Sequence, residues 1–236
     1  MLLPEIKALL FIMAISQIGG ATGTSSTTPV TTLSATYSPT PGNSVLLFLE
    51  IGAAATAISV KDNLGNSLTV GPTINAGAIH YFSYYTVSSP SGVTGYTATW
   101  TTSGVSSITL EEYSGNTGGI NASLSGNTAT ANSGTASLTV NIDDANDWVV
   151  FGIGAGATLT GTVGNVRQSI GAGSNARQVL MDNTAATAGA AVTGTATLNP
   201  GNWIIIAIEL RLTPVVANVP VIAITQEYTW GGGDGW

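Results

Sequence analysis

The sequence predicts a two-sheet β-sandwich built from pseudo-repeated halves, on the strength of three observations. The first is the stretch Pro41-Gly42-Asn43-Ser44-Val45-Leu46-Leu47-Phe48-Leu49-Glu50-Ile51-Gly52, where a turn launches five consecutive apolar residues and a Gly/Ala run ends them. An apolar run of this length between breakers reads as a strand buried on both faces. The second is its return as Asn146-Asp147-Trp148-Val149-Val150-Phe151-Gly152-Ile153-Gly154. The third is a common pattern downstream of both copies. Thr97 to Trp100, a turn at Gly104 and Ser107 to Tyr113 come after the first; Gly194 to Leu198, a turn at Gly201 and Trp203 to Leu210 come after the second. Aligning Gly104 with Gly201 places Glu112 on Glu209, so the halves span roughly 42–115 and 146–212 and are expected to share one core.

In chain order, Met1 to Ile18 forms a lead. Ala8 to Ile15 has the apolar character of a signal-peptide core, and Ala14-Ile15-Ser16 fits a small-x-small cleavage site, but Glu5 and Lys7 leave no net positive charge before it. The segment is too short for a transmembrane helix, which needs about 20 apolar residues. It reads instead as a Pro4-started lead and a first strand, Phe11 to Gln17. Gly19 to Thr32 reads as a Gly/Ser/Thr loop and Thr31 to Tyr37 as a strand. After the organising strand comes Ala57 to Lys61, closed by Asp62-Asn63-Leu64-Gly65-Asn66, whose residues tolerate the positive φ of a hairpin turn. Ser67 to Val70 pairs back, and Ile79 to Val87 is an aromatic strand. Asn116 to Ser133 reads as a loop, Thr135 to Ile142 as an alternating strand, and the second half repeats the plan. The domains are then 1–18, a lead with the first strand; 19–213, the sandwich; and 214–236, a tail set off by Pro214 and Pro220.

Composition narrows the function. Charged residues are 7% of the 236, about a quarter of the usual share. With 44% hydrophobic residues and a mean hydropathy of +0.34, the chain is packed rather than disordered. The formal charge is −7, and the basic residues Lys7, Lys61, Arg167, Arg177 and Arg211 are scattered, which excludes a phosphate-neutralising patch and hence nucleic acid as a partner. There is no cysteine, so no disulfide or thiolate chemistry. Solubility must come from hydroxyls, amides and glycine, as in proteins that work outside cells.

Gly42-Asn43 before the apolar strand, Val60-x-Asp62-Asn63-x-Gly65-Asn66, and Leu110-x-Glu112-Tyr113-Ser114-Gly115 stand in order along the chain. Over roughly residues 15–213 this arrangement resembles a β-sandwich module of secreted bacterial proteins and phage structural proteins. The resemblance implies a jelly-roll-like, non-enzymatic surface module, and it carries no catalytic residues to transfer.

The chemical constellations point the same way. His80 is the single histidine and has no nucleophile motif near it. Glu111 and Glu112 are adjacent on a strand and so face opposite sides. Glu112 and Glu209 occupy equivalent positions; they read as a glycosidase pair or, preferred here, as residues that either close the outer face of their strands or accept from loop amides. Asp143, Asp144 and Asp147 give oxygen density that suits calcium, though a polar turn needs the same residues. Tyr81, Tyr84, Tyr85 and Trp100 are candidate sugar-binding aromatics, with burial in the core or at a subunit contact as the alternative. Asn121-Ala122-Ser123 matches a glycosylation sequon. Phe48 and Phe151 are expected at matching central positions, facing the common core.

The tail carries the sharpest signal. Val221-Ile222-Ala223-Ile224-Thr225-Gln226 repeats Ile12-Met13-Ala14-Ile15-Ser16-Gln17 position by position, and Tyr228 and Trp230 lie beyond it. These residues are the candidate assembly contacts. The expectation is a structural surface protein, extracellular or on a virion, that meets copies of itself or other proteins of a larger assembly. It is read as a phage virion protein of capsid-decoration or fibre type; a filament subunit polymerising by donor-strand exchange and an adhesin module binding host-surface glycans are the alternatives. No enzyme activity, no cofactor other than calcium and no membrane span are expected.

Overall fold

The computed structural model describes residues 14–18, 22–56, 58–77, 79–156, 159–163, 165–172 and 176–212. Among them there is no helix, and the strands form two seven-stranded antiparallel sheets. The first half of the chain makes one sheet, from β1 (Ser16–Gln17), β2 (Thr22–Thr36), β3 (Ser44–Ile51), β4 (Ser59–Asp62), β5 (Thr69–Ala76), β6 (Ile79–Thr86) and β7 (Gly95–Ser114). The second half makes the other, from β8 (Gly119–Asn121), β9 (Thr128–Asn141), β10 (Trp148–Ala155), β11 (Leu159–Val163), β12 (Asn165–Ala172), β13 (Ala176–Thr184) and β14 (Ala191–Arg211). The pairings correspond one to one. In the first sheet β7 pairs with β1, β2, β3 and β4, while β6 pairs with β3 and β5. In the second, β14 pairs with β8, β9, β10 and β11, and β13 with β10 and β12. The two-sheet sandwich with repeated halves is therefore the observed fold.

The long strands β7 and β14 serve both ends of their sheets. Thr97 and Thr99 of β7 pair with β4 and with the end of β2, whereas Ser107 to Leu110 pair with β3 and with the start of β2. The register of β2 breaks opposite Gly104, where an added Cβ would stand 2.9 Å from the Ala53 Cβ, so the strand can bend only without a side chain there. Each sheet thereby curls over an apolar cluster of its own. Leu47, Leu49, Tyr84, Tyr96, Trp100 and Leu110 belong to the first, and Phe151, Ile153, Met181, Val192, Leu198 and Trp203 to the second. A third cluster, including Leu46, Phe48, Tyr81, Val150, Leu180 and Ile206, lies between the sheets. The expected single core is thus three, because the central strands bury both faces and each face needs its own partner.

Register decides which residue goes where. Val45 pairs with Glu112 and Val149 with Glu209, so Val45 matches Val149, Phe48 matches Gly152 and Phe151 matches Leu47. The expected match of Phe48 with Phe151 is off by one, and a one-residue slip exchanges the faces of a strand. Both rings are fully buried, but Phe151 enters its own half's core while Phe48 enters the cluster between the sheets. A Cβ on Gly152 would overlap the Phe48 ring. The glycine is the socket for the phenylalanine.

Two hydroxyl-rich segments that read as loops in the sequence are strands. Thr22 to Thr32 is paired along β7, and Thr128 to Ser133 along β14. Their pairing comes from the partner's open edge rather than from apolar alternation, which Ser and Thr do not display. The first strand is shorter than expected: Ser16–Gln17 are paired, and Phe11 to Met13 lie outside the described residues.

Phe48→Ala should cost about 3–5 kcal/mol, and Gly152→Ala about 1–3 kcal/mol through overpacking. Because the two share one space, the double variant should be more stable than the sum of the single losses predicts. Denaturant melts of the four proteins check this; strict additivity would separate the two residues.

Candidate functional site

Four groups of polar side chains are buried where the sequence places strand ends or sheet centres. Glu112 ends β7 on the side of the turn that launches β3. It accepts from Tyr37 Oη at 2.7 Å, Thr40 N at 3.0 Å and Asn43 Nδ2 at 2.5 Å. Glu209 does the same for β10, accepting from Asp143 N at 2.6 Å and Asn121 Nδ2 at 3.0 Å. Burial, together with the charges of Asp147 and Asp144, pushes the Glu209 carboxyl up to about 7. The two glutamates therefore brace equivalent loops in separate halves, as the loop-amide reading expects, rather than flanking one bond.

Asp143, Asp144 and Asp147 form a turn rather than a convergent cage. Asp147 accepts from Leu212 N at 2.7 Å and Asp144 N at 3.2 Å, and Asp143 pairs with Arg211 and Asn121. Among the described residues no group of three His, Cys, Asp or Glu side chains is placed to hold a metal ion. Asp143 and Asp147 already serve protein donors, as a polar turn between strands would have them do. The amide of Asn121, the sequon residue, is likewise engaged by Asp143 and Glu209.

The aromatic cluster is also reassigned. Tyr81, Tyr84 and Trp100 are buried, Tyr81 between the sheets and the other two in the first half's core, and Tyr85 is half-buried against the inter-sheet cluster. The three tyrosines pack because β6 has one face on each core, and Trp100 packs from β7 into the first half's core. His80 is half-buried beside Phe82 at 6.3 Å between ring centres, and burial lowers its pKa.

A polar seam crosses the inter-sheet cluster. Tyr81 Oη and Thr109 Oγ1 donate to Gln178 Oε1 at 3.1 and 2.8 Å, and Gln178 Nε2 donates to Ser107 O and Oγ. Arg167 donates to Asp182 through Nε at 2.6 Å and Nη2 at 2.9 Å and lies 5.9 Å over Trp148, while Tyr113 Oη donates to the same carboxylate. Glu50 has no partner for either oxygen, and burial raises its pKa well above the ordinary value. Sequence reasoning does not single out Glu50, Gln178, Asp182 or Arg167 as site residues. A glutamate inside the apolar run Leu46 to Ile51 is the legible signal for the first; nothing local marks the other three.

The seam ends at the first strand. Ser16 and Gln17 pair with Ser114 and Tyr113, Ile18 N donates to Glu112 O at 3.0 Å, and Ile15 is 3% exposed within the inter-sheet cluster. Gln17 Nε2 donates to Glu111 Oε1 at 2.5 Å. Burial pushes Glu111 up to about 7. This short strand in its slot is the candidate assembly site. Of the expected contacts Ile15 is placed there; Ile12, Met13, Val221, Ile222, Ile224, Tyr228 and Trp230 lie outside the described residues.

The fold and slot define an all-β protein of two topologically equivalent seven-stranded units. No protein-family model, curated protein or solved structure matches the chain.

Glu50, Glu111 and Glu209 all have folded-state pKa values raised above the ordinary 4.5. The folded protein then binds more protons than the unfolded chain, so their stabilising share is present below that value and is lost as pH rises through the raised values, about 7 for Glu111 and Glu209. Urea midpoints should therefore fall between about pH 5 and about pH 8, and Glu50→Gln should make the fall shallower. A midpoint independent of pH would contradict the assignment.

Proposed function

We propose that this is a non-enzymatic structural surface protein that assembles through its terminal strands, and that it is a phage virion protein of capsid-decoration or fibre type. The observation that carries the reading is a coincidence of position. Ile15, just before the first strand, and Gln17 within it anchor this segment by their side chains, one in the inter-sheet cluster and one on Glu111. The tail repeats both as Ile224 and Gln226 in the matching sextet. A tail entering the slot of a neighbouring copy would offer the same apolar anchor and the same amide to Glu111, with main-chain pairing along Ser114 and Tyr113.

The surface supports the same reading. The outward faces of β7 and β14 carry hydroxyls that bond across strands, Ser34 to Thr97 at 2.8 Å, Ser59 to Thr99 at 2.9 Å and Thr139 to Thr193 at 2.8 Å. Such a face is soluble without charge. Of the buried carboxylates, Glu112, Glu209, Asp147 and Asp182 are occupied by protein donors. An exported filament subunit would use the same strand exchange; N-terminal sequencing of purified protein separates the two, a start at Met1 speaking for the virion reading and a cleaved start for the filament.

Deleting residues 215–236 should leave a folded domain that no longer assembles, and Ile224→Asp should do the same by setting a charge against an apolar pocket. Sedimentation and electron microscopy beside the full-length protein test this. Assemblies of normal size and order after deletion would refute it.

A further inference from the structure

We propose that Thr109 and Gln178 react with each other to form an intramolecular ester, with release of ammonia, that joins the two halves covalently. The two side chains meet where the sheets face each other. Thr109 on β7 donates through Oγ1 to Gln178 Oε1 on β13 at 2.8 Å, across 69 residues of chain. Tyr81 Oη donates to the same oxygen at 3.1 Å, and Gln178 Nε2 donates to Ser107 O and Oγ at 2.5 and 2.7 Å. A hydroxyl therefore stands at the carbonyl end of a carboxamide that is held at both ends. All four residues are fully buried.

Hydrogen bonding by itself accounts for those four side chains, but it does not account for Glu50. This side chain has no accessible surface, and neither of its oxygens has a partner. Register sets it in the middle of the group: on β3 it is directly opposite Ser107 on one side and Tyr81 on the other. Across the interface its Oε2 lies 3.2 Å from where a Cβ on Gly154 would be, and Gly154 is the residue directly opposite Gln178. The missing side chain of that glycine is what admits the carboxyl. A buried carboxyl without partners forfeits its hydration for nothing in return. Set between a hydroxyl and an amide, it is placed to carry protons from one to the other.

In the reaction the bond from Thr109 Oγ1 to Gln178 Cδ forms and the bond from Cδ to Nε2 breaks. The Tyr81 hydroxyl, already on Oε1, stabilises the oxyanion that arises between these events. Protonated Glu50 gives its proton to the departing nitrogen and takes the Thr109 proton on its other oxygen. The carboxyl thus ends as it began, and the nitrogen leaves as ammonia. Burial raises the Glu50 pKa well above the ordinary value, which favours the protonated form that the step uses. Nothing is oxidised or reduced, and no further reactant is needed. Fixed proximity promotes attack on an otherwise unreactive amide, and exclusion of water protects the ester once formed. In a chain without cysteine the link takes the place that a disulfide would have between the halves.

Mass spectrometry of the full-length protein, purified and denatured, tests this. Chymotryptic digestion should yield one branched species that joins the peptides of Thr109 and Gln178 and is one ammonia lighter than their sum. Hydroxylamine, which cleaves esters, should separate the two. Trypsin is unsuitable, because cleavage after Arg177 leaves Gln178 at a peptide N-terminus, where glutamine sheds ammonia unaided. Thr109→Val and Glu50→Gln, both close in shape to the native residues, should fold by circular dichroism and give two separate peptides with the Gln178 amide intact. The wild-type digest decides the matter even where a variant fails to fold. Separate peptides from the wild type, a branched species that survives hydroxylamine, or the same species from either folded variant would each overturn the proposal.

Discussion

Two strands buried on both faces, β3 and β10, set the terms for everything else in this molecule. Each belongs to a sheet that curls over its own core, and each turns its other face toward the opposite half. At their crossing Phe48 occupies the space that Gly152 leaves open. The contact works only because the halves differ there: a large residue in both would collide, and a small one in both would leave a void. The duplicated fold is thus joined by an unequal pair. Of the edge strands, β5 lies against β9 and β14, and β12 against β2 and β7.

A chain with so few charges places most of its carboxylates inside. Glu112, Glu209 and Asp147 satisfy backbone or side-chain donors of loops that would otherwise end unpaired. Asp182 is matched by Arg167 and Tyr113 across the seam. Glu50 is the exception: neither oxygen has a partner, and burial raises its pKa well above the ordinary value. Buried networks of this kind reward complete pairing and penalise any missing member. They also couple stability to pH, because protons must be kept on groups that would lose them in water.

The outer covering is chemically plain: ladders of threonine and serine bonded across strands, with the hydroxyl faces repeated on both halves. Such faces need no partner.

The class of fold was legible because apolar runs between breakers and their recurrence are local facts of the chain. Ser44 to Ile51 and Trp148 to Ala155 could not be other than central strands, and the Glu112–Glu209 correspondence came from spacing alone. For those glutamates the sequence left two roles open, closing the outer face of a strand or accepting from loop amides, and the packed loops decide for the second. The division of one expected core into three, the destination of Phe48 and the burial of Tyr81, Tyr84 and Trp100 were settled only by tertiary packing. Alternation identifies two faces of a strand but not what lies against each, and one residue of register exchanges them. The partners of Asp182 and Gln178 come from strands far away in the chain, so no window of sequence contains them. Pairing across distance is decided by the whole fold, and it is there that polar residues acquire their roles.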